Sequence, residues 1–119
     1  MKFTHKQALY FILLKNNGKW VALPEIMAYT KEHCNSVCYV AHSRASELRK
    51  NYGYEMIENE SIDHSGVKHS SYRIQLKESE LKVARAYWME HKTIPTYSQI
   101  KSRLTAKQVP LFIGATQWQ

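Results

Sequence analysis

The stretch Ser36-Val37-Cys38-Tyr39-Val40-Ala41-His42-Ser43-Arg44-Ala45-Ser46-Glu47-Leu48-Arg49-Lys50 decides how this chain is read. On a helical wheel Val37, Val40, Ala41, Arg44, Ala45 and Leu48 share one face, and Tyr39, His42, Ser43, Ser46, Arg49 and Lys50 share the other. The first face is small and mostly aliphatic, as packing against two further helices requires. The second is polar and carries two cations, with Glu47 at its margin. A helix over 36–50 follows, capped by Asn35 or Ser36 and ended by Asn51-Tyr52-Gly53.

Upstream, Thr4 and Gln7 have the spacing of a capping box, and the apolar residues Ala8, Leu9 and Phe11–Leu14 extend a helix over about 5–16. Gly18 suits the left-handed position that ends it. Trp20-Val21-Ala22 reads as extended. Pro24 and Glu25 suit the first turn of a second helix over about 24–31, leaving Lys31–Asn35 as the turn. Downstream, Tyr54–Glu58 and Ser71–Leu76 read as strands, because Tyr72, Ile74 and Leu76 alternate with polar residues. Between them lies a polar tip, 59–70, carrying His64, Lys68 and His69. The fold class expected is therefore mainly α with a small antiparallel β hairpin. The predicted division is a first domain over 1–77 and a C-terminal helical extension over 78–119.

The totals agree with a small packed domain: 119 residues, 44% of them hydrophobic. Seventeen Lys and Arg against ten Asp and Glu give a formal net charge of +7, which favours polyanionic partners. No apolar run reaches the length of a membrane span. The apolar stretch at Ala8–Leu14 lacks the small-residue cleavage site of a signal peptide. Two cysteines four residues apart make no disulfide framework, and a reducing cytoplasm is the expected compartment.

The order helix, helix, helix, hairpin is that of a winged helix-turn-helix. The string Arg44-Ala45-Ser46-Glu47-Leu48-Arg49-Lys50-Asn51-Tyr52-Gly53-Tyr54-Glu55-Met56-Ile57 resembles the R-x-S-x-L-R-K-x-G-Y-x-I stretch of small helix-turn-helix proteins of phages and prophages. Tyr72-Arg73-Ile74 resembles their returning wing strand, and the likeness spans about residues 4–76. This chain has Asn51-Tyr52 where one residue is usual, and no glycine in Lys31–Asn35. The resemblance implies a non-catalytic protein of transcription control, replication or recombination, working in the bacterial host cytoplasm. It places the third helix in the major groove of duplex DNA, where base edges are readable. Ser36, Tyr39, His42, Ser43 and Ser46 would face the groove, Arg49 and Lys50 would meet phosphate or guanine, and Lys68 and His69 on the wing would hold the backbone.

Other features read as structural. Arg44 matches the family string but falls on the inner face, which assigns it to a structural bond. His33, Cys34, Cys38 and His42 suggest a metal, but no second cysteine pair closes a tetrahedral site, so neither metal nor cofactor is expected. Trp20 and Trp88 read as packing residues. Asp63-His64-Ser65 cannot hold triad geometry on a hairpin tip, and no phosphate loop or nucleophile elbow is present, so no enzyme is expected.

In the C-terminal third, Glu78–Lys92 has helical periodicity and Ile94-Pro95 breaks it. Thr96 or Ser98 caps a short helix through Leu104, and Pro110 cuts short any third helix. The segment reads as a degenerate second helix-turn-helix or, preferentially, as an extension. Such an extension would offer Leu111, Phe112, Ile113 and Trp118 to a host protein or a second copy. A winged-helix adaptor or inhibitor gripping a host protein is thus the alternative function.

Overall fold

The computed structural model describes residues 2–114, with side chains through Thr105. The chain divides into two compact units, Met1–Gln75 and Leu76–Gln119. The described residues form five helices and one three-stranded antiparallel sheet. No helix among them is long and apolar enough to cross a membrane.

Helix α1 (His5–Lys15) begins where the Thr4 hydroxyl accepts the Gln7 amide at 3.1 Å and the Gln7 side chain accepts the Thr4 amide at 3.0 Å. Two otherwise orphaned donors are thereby satisfied. Ala8, Leu9, Tyr10, Ile12, Leu13 and Leu14 are all buried, because α1 is covered by both α2 (Leu23–His33) and α3 (Ala41–Tyr52). The chain leaves α1 through Gly18, whose φ of 86° is left-handed. A two-residue strand β1 (Val21–Ala22) precedes α2, whose Glu25 carboxylate accepts the Ala22 amide at 2.8 Å.

The third helix begins later than the wheel predicts. Cys34–Val40 is irregular, α3 starts at Ala41, and α2 runs on to His33. Residues 34–38 are held in bonds a helix could not keep. Cys34 Sγ donates to the Thr4 carbonyl at 3.6 Å, and the Cys38 amide donates to the buried Thr30 hydroxyl at 2.9 Å. His5 Nε2 lies 3.0 Å from both the carbonyl and the hydroxyl oxygen of Ser36. At the other end Gly53 takes the left-handed φ of 80°, and the amides of Gly53 and Tyr54 both reach back to the Leu48 carbonyl, the latter at 3.1 Å. Ala41, Ala45 and Leu48 are the buried positions of α3.

The hairpin also differs from its sequence reading. The stretch 59–70 is almost entirely strand: β2 (Glu58–His64) pairs with β3 (Val67–Arg73), from Glu58 opposite Arg73 to His64 opposite Val67. Only Ser65 and Gly66 form the turn, both with positive φ (56° and 88°), as a type I′ turn requires. The pairing was hidden because most of this ribbon is exposed, so neither face is marked by apolar alternation. Residues 54–57 are not strand. The central strand is β3, with β1 on its other edge through Val21 opposite Tyr72 and Ala22 opposite Ser71.

In the second unit, α4 (Glu78–His91) leads to α5 (Tyr97–Gly114), which begins with a second Thr–Gln capping box, Thr96 with Gln99. The expected stop at Leu104 is absent, and α5 continues through Pro110. Proline there removes one amide donor and crowds the carbonyl four residues back, a cost the helix bears without ending at that point. Buried Glu80 joins the two helices: its Oε1 accepts the Lys77 amide at 2.8 Å and its Oε2 accepts the Tyr97 hydroxyl at 2.5 Å.

The buried phenols can be tested in two ways. Tyr10 and Tyr54 share a hydrogen bond of 2.8 Å inside the core, with ring centroids 5.1 Å apart. Either Tyr→Phe change should cost roughly 1–3 kcal/mol by removing this buried hydrogen bond, and the double change should cost less than the sum. Strict additivity in urea unfolding would refute that coupling. The second test uses alkali. Burial pushes the Tyr10 phenol up to about 12, and the hydrogen bond to Glu80, then burial, push Tyr97 up to about 12. Both folded values lie above the unfolded one of about 10, so these groups stabilise the fold fully below pH ~10 and lose that effect as pH rises toward about 12. The Tyr97→Phe variant should show a shallower decline of melting temperature across that window, and an equal slope would refute the assignment.

Candidate nucleic-acid interface

The outward side of α3 follows from its buried side. With Ala41, Ala45 and Leu48 turned inward, His42 and Lys50 are exposed and Ser43, Ser46 and Arg49 are half-buried. Two adjoining surface grooves run along it. One, of about 260 Å³, is lined by Ser43, Ser46, Glu47, Lys50 and Asn51. The other, of about 560 Å³, is lined by Ser46, Arg49, Lys50, Gly53 and Glu55. Ser46 and Lys50 belong to both. Four of the nine residues predicted as DNA contacts, Ser43, Ser46, Arg49 and Lys50, therefore share one continuous surface.

The others lie elsewhere. Ser36 and Tyr39 are exposed, but in the irregular segment before α3 rather than on a helix 36–50. Tyr39 and Val40 are 66% and 52% exposed beside the first turn of α3, which has no side-chain cap. Lys68 is exposed on β3, where Asp63 is its cross-strand partner. His69 is half-buried, its ring centroid 5.9 Å from that of His64. No hairpin residue lines either α3 groove.

The two arginines of the helix sit differently from their wheel positions. Arg49 Nε donates to the Ile57 carbonyl at 2.9 Å, so it ties the end of α3 to the start of the hairpin. Arg44, placed on the inner face by the wheel, is only half-buried and pairs with Glu47 at 3.0 Å one turn along. That pair neutralises the single carboxylate of α3. Arg49 and Lys50 both stand in the last turn of the helix, where cations also complement its dipole.

Sequence reasoning missed Glu55 and Asn51 as groove residues. Glu55 faces the end of the larger groove because residues 54–57 form a turn rather than a strand, and its carboxylate disfavours phosphate there. On the hairpin, Arg73 is held by Glu58 at 2.8 Å and by the Trp20 ring, 4.4 Å from its guanidinium carbon. Trp20 thus supports the sheet. Cys34 and Cys38 are buried free thiols, and burial pushes the Cys34 thiol up. His33 stacks on Phe3 and meets the Tyr29 ring at a tilt, centroids 4.3 Å apart. Among the described residues, no three His, Cys, Asp or Glu side chains gather to hold a metal ion. Leu111, Phe112 and Ile113 lie where only the α5 backbone is described, and Trp118 lies outside the described residues.

Removing the Arg49 side chain should therefore destabilise the chain as well as alter this surface. A charged donor on a half-buried carbonyl contributes about 1.5–3 kcal/mol, and Arg49→Ala should lose an amount of that order in urea unfolding. Lys50→Ala, at an exposed position, should stay within about 0.5 kcal/mol of the parent. Equal stability of the two variants would contradict the Arg49–Ile57 anchor.

No family model matches this chain, and no curated protein or solved structure matches it either.

Proposed function

We propose that the chain binds duplex DNA without catalysing a reaction, as a winged helix-turn-helix of the phage type. In this reading α3 enters the major groove and the β2–β3 ribbon lies against the backbone. The observation that carries the proposal is the outer face of α3: Ser43, Ser46 and Lys50 form one open groove surface, and the helix's only carboxylate is already paired with Arg44. A helix of this diameter fits the major groove, and short hydroxyl side chains let its backbone approach the base edges. The element order and the pairing of β1 with β3 support the same architecture.

Roles shift from those implied by sequence. Lys50 takes the phosphate contact, and Arg49 holds the helix end to the hairpin. His42 and Tyr39 stand at the N-terminal end of α3, the end from which recognition helices reach base edges. The connection from α2 to α3 is longer than the usual three or four residues of a helix-turn-helix, so α3 meets DNA at its own angle.

One observation favours the second reading, a host-protein adaptor or inhibitor. Tyr39 and Val40 form an exposed pair beside α3, and aromatic residues are enriched in protein interfaces.

Titration of a labelled mixed-sequence duplex across a salt series tests the first reading. Lys50→Ala and Lys68→Ala should each weaken binding and lower the log–log salt slope by about 0.9, one phosphate contact apiece. Unchanged affinity and slope in both variants would remove α3 and the ribbon from the interface. Nuclease-resistant capture of one protein, abolished by Tyr39→Ala, would then favour the adaptor.

A further inference from the structure

The smaller unit carries more of the positive charge. Residues 76–119 hold seven Lys and Arg against three Asp and Glu, a net of +4, whereas residues 1–75 hold ten against seven, a net of +3. The excess is sharper on the surface, because Glu80 is buried and bonded to Tyr97. Among the described side chains of this unit, that leaves the exposed carboxylates Glu78 and Glu90 facing exposed Lys77, Lys82, Arg85, Lys92 and Lys101.

These charges are organised. Lys82, Arg85 and Met89 recur at helical spacing along the exposed side of α4, opposite buried Glu80 and Ala84, and Lys92 follows at its end. Between α4 and α5 lies an open groove of about 420 Å³, lined by Tyr87, His91, Ser98, Gln99, Ser102 and Arg103. Among the described residues, no carboxylate and no aliphatic side chain lines it. Its size falls in the ligand range of about 300–1,000 Å³, but its polar lining does not suit an apolar ligand. Arg103 is set at the rim, its guanidinium carbon 5.0 Å from the Tyr87 ring centroid and its NH1 3.5 Å from Glu90. Arg103 NH2 also lies 3.2 Å from His91 Nε2, so this arginine is already engaged, and Tyr87 and His91 place the groove on the Glu80–Ala84 side of α4, away from Lys82 and Arg85.

We infer that the α4–α5 unit is a second nucleic-acid contact, in which Lys82, Arg85 and Lys92, along the exposed side and end of α4, hold the sugar-phosphate backbone of duplex DNA. This second contact goes beyond the reading of α3, and one titration separates the two.

The full-length chain is titrated with a mixed-sequence duplex from low to high salt, alongside Lys82→Ala/Arg85→Ala/Lys92→Asn and Lys50→Ala. The triple variant should bind more weakly, with the salt slope lowered by about 2.7, at about 0.9 for each phosphate no longer neutralised. Arg85→Lys in place of Arg85→Ala, which keeps that charge, should recover about 0.9 of the slope and separates charge from fold. Parental affinity and slope in the triple variant overturn the inference, and leave the α3 reading intact if Lys50→Ala still weakens binding. Weakening by the triple variant alone upholds the second contact and removes α3. Charge-dependent binding to vesicles of anionic lipid, with no effect of the triple change on DNA, overturns the inference in favour of a membrane surface.

Discussion

The hydroxyl of Thr30 decides where the most informative helix begins. It is fully buried, donates to the Met27 carbonyl at 3.0 Å and accepts the Cys38 amide at 2.9 Å. A buried hydroxyl left unpaired costs roughly 1–3 kcal/mol, so this pair of hydrogen bonds is a strong local constraint. It commits Cys38 to a non-helical bond three residues before α3. The neighbouring bonds repeat the effect: Phe3 N–H to the His33 carbonyl at 2.9 Å, Cys34 to Thr4, and His5 to Ser36 fasten the segment to the strand-like entry of α1. The cap of α3 is then Val40, which offers no side-chain acceptor. The first amides of α3 stay open beside an exposed tyrosine.

The same logic shapes the other end of the helix. Gly53 reverses the chain, Tyr54 drops its ring into the core against Tyr10, and Arg49 reaches across the reversal to Ile57. The cation that sequence assigns to DNA therefore supports the frame, and its neighbour Lys50, one position round the helix, is left to face solvent. Lys6 adds to this anchoring, with Nζ 4.9 Å from the Tyr52 ring. The outer surface of α3 is a by-product of how firmly its inner surface and end are held.

What was legible in the sequence is what depends on neighbours along the chain. Thr4 with Gln7, Glu25 in the first turn of α2, the reversals at Gly18 and Gly53, and the inward Ala41, Ala45 and Leu48 can each be read from residue type and spacing. What was illegible depends on partners far along the chain. Ser36 has good capping chemistry but is held by His5, 31 residues away, so a helix start there is overridden. The β2–β3 ribbon carries no alternation because so little of it is buried, and Ser65 does not announce a positive φ as asparagine or glycine would. In the candidate site, residue types were legible but assignments were not. Nothing local distinguishes Arg49, bonded to a carbonyl, from Lys50, bonded to nothing that shapes the fold.

Electrostatics then limit what the first unit can do alone. Charges separated by more than a Debye length, about 8 Å at physiological salt, are largely screened, so only local surplus steers a polyanion. The ribbon has little: Glu58, Glu60 and Asp63 offset Lys68 and Arg73, and Arg73 is already paired. The end of α3 supplies Lys50 beside Glu55. An interface with so few phosphate contacts binds non-specifically with a shallow salt dependence and low affinity. Base contacts from Tyr39, His42, Ser43 and Ser46 would then have to carry most of the binding, or a second basic surface would have to add to it. In the proposed reading the unbalanced charge of the α4–α5 unit would meet that need, because two linked weak contacts on one polyanion gain from each other's effective concentration.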